Sequence, residues 1–515
     1  MTQLKSPVVY DVAIVGFGPS GAVAAGLLGA QGIRTYVCDT LNDVYDKPRA
    51  IALDHEIIRL FQQMGVARQI KPFLEPFTDS VYYGVNGQII KRMSTVAPPY
   101  PLGHTPSVVF TQPPTERVLR AHAQSFPCVT VELGQTLSRL TQNSDGATLS
   151  LVGDDGRTST VRTRYVIGCD GASSTVRAQA GISLQDQDFD EPWLVVDVLV
   201  NELGLAKLPV TSVQYCRPER PSTYLICPGN HRRWEIAINP GEDPIQVATP
   251  EGTWKLLSPW LTPQDATLWR QASYRFHALV ASEWRKGRVF IAGDAAHQQP
   301  PFLGQGMCQG LRDIANLCWK LQAVLQADAP ERLLDTYGPE RKGHVMELTS
   351  RIKGIGKIVG ERDPVRARER DARLLAECGG VVKLTPRQDV QPALQQGLLS
   401  AQLHPARGTL FPQAWLAMRS GEPRRMDDVL GCGWRLVLDR QADTALSRYA
   451  HGLKMPGLRV AQLGVNGFEE TEGVLAGWFA RHDCSAALVR PDQYVYGVAS
   501  DLQMLSSQLN ALAKF

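Results

Sequence analysis

The chain has 515 residues, 43% hydrophobic and 20% charged, which is enough for two or three domains with sizeable cores and argues against long disorder. Its 54 basic and 51 acidic residues leave a formal charge of +3 with no long single-sign run, so charge offers no case for a nucleic-acid or anionic-membrane partner. No segment has the ~18 apolar residues needed to span a bilayer, and the ten cysteines are scattered without C-x-x-C or zinc-ligand spacing, as in a reducing compartment.

The first residues, MTQLKSPVVYDVAIVGFGPSG, lack the apolar core and cleavage site of a signal peptide, so a cytoplasmic protein is expected. Residues 10–16, YDVAIVG, read as a short buried strand. It enters the turn Gly16-Phe-Gly18-Pro19-Ser20-Gly21, then an Ala/Leu/Gly helix ending near Gly32, then a second strand, 33–39. This βαβ unit gives the glycine pattern its meaning. Gly16 permits the tight turn, Gly18 leaves room for a pyrophosphate, and Gly21 lets helix and strand approach. Backbone N–H groups around Pro19–Gly21 face the phosphates. Asp39, ending the second strand, can accept hydrogen bonds from ribose hydroxyls. NAD and FAD share this unit, so it names only a dinucleotide.

Two later segments repeat the strand-to-turn logic. In YVIGCDGASSTVR (165–177) a strand delivers Asp170-Gly171. In RVFIAGDAAHQQPPFLGQGMCQGLRDIANLCWKL (288–321) a strand delivers Gly293-Asp294, then a Pro/Gly loop, then a helix from near Gly306. Asp294 is placed to meet a ribityl-type hydroxyl, and the N–H groups at that helix start, at Gly306 and Met307, suit an anionic ring oxygen. Both acids equally suit capping of the helices that follow. His297, beside the second motif, reads as a packed residue.

Together these motifs resemble the group A FAD-dependent aromatic hydroxylases, over nearly the whole chain. The stretch GDAAHxxPPxxGQGxxxGxRDxxNLxWKL, LLDTYGPER (333–341) and KPRAIALDHE (47–56) carry the likeness. FDEPWLVVDV (189–198) and NHRRWEIAINPGED (230–243) bring it closest to 3-(3-hydroxyphenyl)propionate and phenol hydroxylases. The chain departs at Asp54-His55-Glu56, where relatives often show Asp-Asp-Glu, and at Asp39, where many have glutamate. The resemblance implies FAD at the glycine site, with Arg49 and Gln112 beside it and the Pro300-Pro301-x-x-Gly304 loop against the ring. It implies NADH or NADPH as a transient reductant, with no second glycine fingerprint. O₂ then adds at the flavin C4a position and one oxygen passes to an electron-rich phenolic ring. A base near the ring aids a phenol. Asp54 and His55 are the candidates, although the same residues can cap the helix that follows. A substrate carboxylate would call for an arginine; alternation along HRRWEIAI sends at most one of Arg232 and Arg233 inward. The alternatives kept are another aromatic substrate (a resorcinol, quinolone or polyketide phenol) and a flavin reductase that inserts no oxygen.

The expected fold class is α/β: a Rossmann-like FAD-binding domain (1–75, 106–180 and 281–379) interleaved with an antiparallel-sheet substrate domain (76–105 and 181–280). Residues 380–426, rich in Gln, Pro and Gly, read as a linker. Residues 427–515 alternate strand and helix and resemble the thioredoxin-like domain of phenol-hydroxylase relatives, without paired thiols for redox work. A structural or homodimer-supporting role is expected there.

Overall fold

The computed structural model describes residues 9–419 and 421–514; of the stretch weighed for a signal peptide, residues 1–8 lie outside them. The strand Val9–Val15 is central to a parallel sheet, flanked by Thr35–Asp39 and Thr158–Gly168 and extended by Val129–Leu133 and Val289–Ile291. Val12, Ala13 and Ile14 are wholly buried, as befits a strand covered on both faces. Helix Pro19–Ala30 follows the glycine turn and packs beside helix Gly306–Gln326. A Cβ on Gly21 would lie 1.9 Å from the Gly16 carbonyl oxygen, so no other residue allows this approach of helix to turn.

The second sheet has nine strands among the described residues. Leu184–Val200 pairs antiparallel with His231–Ala237 and Ala266–Ala281, and the sheet continues through Ser222–Ile226, Ser212–Tyr215, Ser80–Tyr83 and Ile89–Ser94. Both faces are covered. Leu194, Val196, Trp234 and Ile236 pack on one side in a core with Leu257, while Trp193, Val195, Ala237 and Phe276 pack on the other with Leu348 and Ile352.

Residues 380–426 are not a free linker. Leu384–Pro386 pairs with Ile89–Ser94 as an edge strand of the second sheet, and Trp415–Ala417 pairs with Arg424–Arg425 and Glu469–Glu470. Short extended pieces held by backbone pairing lack the periodicity that reveals longer elements, which is why composition alone suggested a linker. The C-terminal sheet runs Leu458–Gln462, Trp434–Leu438, Ala486–Val489, Val495–Ala499, with only the first pair parallel. Its cysteines, Cys432 and Cys484, are unpaired. Buried ion pairs fasten this part to the rest: Arg59 meets both oxygens of Asp427 (2.7 and 2.9 Å), and Arg490 meets Glu340 at 2.6 Å. Among the described residues no helix is long and apolar enough to cross a membrane.

Candidate active site

One cavity of about 660 Å³ runs from the glycine turn to the second sheet. At the turn, Gly18, Pro19 and Ser20 line it. A Cβ on Gly18 would meet nothing of the chain within 4 Å, so the space in front of this backbone is open to a ligand. Gly16 serves the turn itself: its φ is +97° and a Cβ would stand 2.4 Å from the Cys169 carbonyl oxygen. Asp39 lies behind the turn rather than in the cavity, accepting from Phe17 N at 2.6 Å and Leu41 N at 2.7 Å.

The two later motifs converge on the same space. Gly171, Gly293 and Asp294 line it, as do Pro301, Gly304, Gly306 and Met307. Asp294 is open to the cavity and accepts no hydrogen bond from the described residues. Burial pushes its carboxyl up, against the pull of His297 and Arg49. Gln112 fixes the facing arm by accepting from Arg49 N (3.1 Å) and Ala50 N (2.7 Å), and Arg49 also lies over the Tyr45 ring. Open backbone at Gly18, donors at the starts of helices Pro19–Ala30 and Gly306–Gln326 and an unpartnered Asp294 match the phosphates, ring and ribityl hydroxyls of FAD.

Beyond that end, the second sheet forms a floor. Val195, Glu235, Thr223 and Gln214 reach the cavity from it, together with Leu225, Arg233, Arg270 and Tyr274; Phe77, Phe302 and Arg387 line it as well. Arg233 is the inward arginine of its pair. It meets both oxygens of Asp197 (2.7 and 3.0 Å) and donates to the Arg49 and Pro48 carbonyls. Asp197 is held below the usual carboxylate range: burial opposes this, but Arg233 and His231 outweigh it.

Residues 9–352 match the family model described as "FAD binding domain", and residues 408–514 match "HcaD C-terminal domain". A relative from Rhodococcus jostii (strain RHA1), described as "Probable NADH-specific resorcinol 4-hydroxylase", is 36% identical over 98% of this chain and 94% of its own length. A "3-(3-hydroxy-phenyl)propionate/3-hydroxycinnamic acid hydroxylase" of Burkholderia cenocepacia (strain HI2424) is 32% identical over 94% and 93%. The chain belongs to the FAD-binding family of aromatic hydroxylases. Its fold matches the flavin-dependent monooxygenase PieE (TM-score 0.81, 22% identity, 99% of both chains) and aklavinone-11 hydroxylase (TM-score 0.80, 24% identity, 99% of this chain and 100% of that one).

Within this hydroxylase some expected residues hold other posts. Asp170 does not face the cavity. Its oxygens accept from Ser174 Oγ and from Val176 N (3.0 Å), so its side chain caps the helix while the backbone around it faces the cavity. Asp54 and His55 do not line the cavity either. Asp54 caps helix His55–Gln63 through Ile57 N and pairs with Arg312. Burial raises its carboxyl, but Arg312 outweighs burial and holds it low. His55 is buried, and that burial, against the pull of Asp54, lowers it to about 4. The chain turns inward at Ala52, which lines the cavity, and the helix then carries the next residues away. Neither side chain is available to a ring in the cavity.

The sequence also hid several structural supports. Arg177 donates to the carbonyls of Ala295 (2.9 Å) and Ala172 (2.8 Å), tying the two aspartate–glycine turns together. Asp313 accepts from Gly293 N (3.0 Å), Arg341 Nε (2.9 Å) and the His297 ring (2.8 Å). His297 is therefore a packed support, stacked on Trp284.

Proposed function

We propose that this chain is a monooxygenase that uses FAD, NAD(P)H and O₂ to hydroxylate a phenolic ring, with a phenolic acid of the 3-(3-hydroxyphenyl)propionate kind favoured. One observation carries the reading: a single cavity joins the FAD cradle to a floor with apolar walls and a few polar side chains, the form expected of a small aromatic site. When bound, FAD supplies the oxygen activation. The protein orients the ring on the floor and encloses it under Phe302 and Leu303, which limits water.

Arg387 favours a substrate with a carboxylate. It lines the cavity over the Phe77 ring (4.1 Å), has no acidic partner among the described residues, and donates only a long bond, 3.4 Å, to the Leu303 carbonyl. A half-buried guanidinium without an acidic partner is a natural carboxylate anchor. The relative described as a resorcinol hydroxylase supports a second reading, a neutral dihydroxybenzene, and the NADH specificity in its description favours NADH here.

We also read the two sheets as interleaved FAD and substrate domains, and the C-terminal sheet as thioredoxin-like; its strand order and three helices support that reading. Its buried ionic contacts with the flavin part favour a structural role. A panel of phenols, with NADH consumption, O₂ uptake and product mass measured together, tests the function. One hydroxylated product per O₂ is expected from a 3-hydroxyphenyl acid. Oxidation that yields only hydrogen peroxide from every phenol would refute oxygen insertion.

A further inference from the structure

The floor is built from alternate residues of neighbouring strands, and their register fixes two transverse rows. Val195, Glu235, Thr223 and Gln214 form one row; Asp197, Arg233 and Leu225 form the next. In the second row the charges are matched, since Arg233 and Asp197 meet directly, with Arg270 3.7 Å from the same carboxylate. In the first row the Thr223 hydroxyl donates to Gln214 Oε1. That leaves Glu235. The residue is 4% exposed, lines the cavity, and its carboxyl accepts no hydrogen bond from the described residues. Buried polar groups nearly always have partners, so an orphaned carboxyl facing a ligand space calls for a donor on the ligand.

We propose that Glu235 is the catalytic base of this enzyme, its carboxylate accepting the proton of the phenol hydroxyl. The assignment rests on the phenol-hydroxylase reading above. The O–H bond breaks, the proton passes to a Glu235 oxygen, and the electron pair stays on the phenolate oxygen. The added electron density activates the ring carbons ortho and para to it. One atom of O₂ joins such a carbon, the other leaves as water, and NAD(P)H supplies the two electrons. The ring proton is lost as aromaticity returns, and Glu235 releases its proton as the product leaves.

Burial pushes the Glu235 carboxyl up to about 7; Arg233 opposes this and Asp197 adds to it. A base with this affinity suits proton transfer near neutral pH. The charges acting on it are Arg233 on its own strand and Asp197 on the next, and the same cavity holds Arg49, Arg270, Arg275, His277, Asp294 and Arg387. The matched Arg233–Asp197 pair gives Glu235 no cation of its own to hold it permanently ionised.

The test uses FAD-loaded wild type, Glu235→Gln and Glu235→Asp, with resorcinol and 3-(3-hydroxyphenyl)propionate as probes. Bound phenolate is followed by ultraviolet difference spectra of the oxidised enzyme, and coupling by product formed per NADH. Wild type should form phenolate and hydroxylate efficiently from about pH 7 upward. Glu235→Gln should keep FAD and bind the phenol, yet show at least tenfold lower coupling at neutral pH. Its phenolate signal and coupling should recover only toward pH ~10, where a free phenol ionises. Glu235→Asp, which keeps the acid, should recover part of the neutral-pH coupling. Glu235→Gln with wild-type coupling and pH profile would overturn the assignment. If that variant does not fold, a wild-type phenolate signal that appears only near pH 10 overturns it equally. A wild type that hydroxylates neither probe nor any other phenol would refute the phenol reading itself, and Glu235 with it.

Discussion

Gly18 and Gly21 stand three residues apart in one motif, yet the structure assigns their missing side chains to different partners. At Gly18 the backbone is extended (φ −65°, ψ −171°) and a Cβ would meet no atom of the chain within 4 Å. Alanine there should leave the FAD-free protein as stable as wild type, or up to about 1 kcal/mol more stable through a stiffer unfolded chain. With FAD at the glycine turn as proposed, the added methyl instead enters the space left for the pyrophosphate. Overpacking of about 1–3 kcal/mol should weaken FAD binding by roughly 5- to 150-fold. At Gly21 the Cβ would stand 1.9 Å from the Gly16 carbonyl oxygen. No flexible side chain can yield there, so Gly21→Ala should destabilise the FAD-free protein itself. Urea unfolding of the two stripped variants, followed by FAD titration monitored through flavin fluorescence, separates the effects. A Gly18→Ala protein that binds FAD like wild type, or loses as much apo stability as Gly21→Ala, would refute the reasoning.

Asp313→Asn removes the charge shared by Arg341 and His297 and weakens the bond that holds Gly293 N; losing one partner of a buried pair should cost about 3–5 kcal/mol in urea unfolding, and a cost below ~1 would show the cluster to be slack. Arg387→Met should raise KM for 3-(3-hydroxyphenyl)propionate at least tenfold while leaving that for resorcinol within about twofold, and equal shifts would argue against a carboxylate anchor. His55 is held near 4 when folded against about 6.5 when unfolded, so below pH ~6.5 the unfolded chain takes up a proton that the folded one refuses. Stability from this residue is therefore full above that pH and lost as pH falls toward 4, by about 3 kcal/mol. His55→Gln should flatten that acid limb in urea melts at stepped pH, with the neutral-pH coupling of hydroxylation preserved; a steep limb in the variant would remove His55 as its cause.

The FAD end was readable because its work is done by backbone. A glycine turn after a strand, or an aspartate–glycine turn before a helix, exposes N–H groups in a way that local sequence dictates. The same logic says less about side chains. Asp170 occupies the expected turn, but its oxygens are taken by Ser174 and Val176. The motif names the place without saying which atoms face the ligand. Asp54 and His55 show a similar limit. They follow Arg49 closely in the chain, yet helix His55–Gln63 begins there and turns them into the contact with Arg312.

The floor was hidden for a different reason. Along RWEI (233–236) charged residues alternate with apolar ones, a pattern that in an antiparallel sheet ordinarily marks a solvent face. Here Trp234 and Ile236 face an apolar core, while Arg233 and Glu235 face a cavity covered by the flavin part, and all four are buried. Periodicity fixes which residues share a face but not what covers that face. Only the register across Leu184–Val200, Ser222–Ile226 and Ser212–Tyr215 shows that Arg233 sits opposite a counter-charge and Glu235 does not. Charge matching is therefore the more informative signal at this sheet. Where the fold supplies the counter-charge, as at Arg233, the residue steadies the arm that carries Arg49; where it supplies none, as at Glu235 and Arg387, the phenolic acid proposed above completes the arrangement with its hydroxyl for one and its carboxylate for the other.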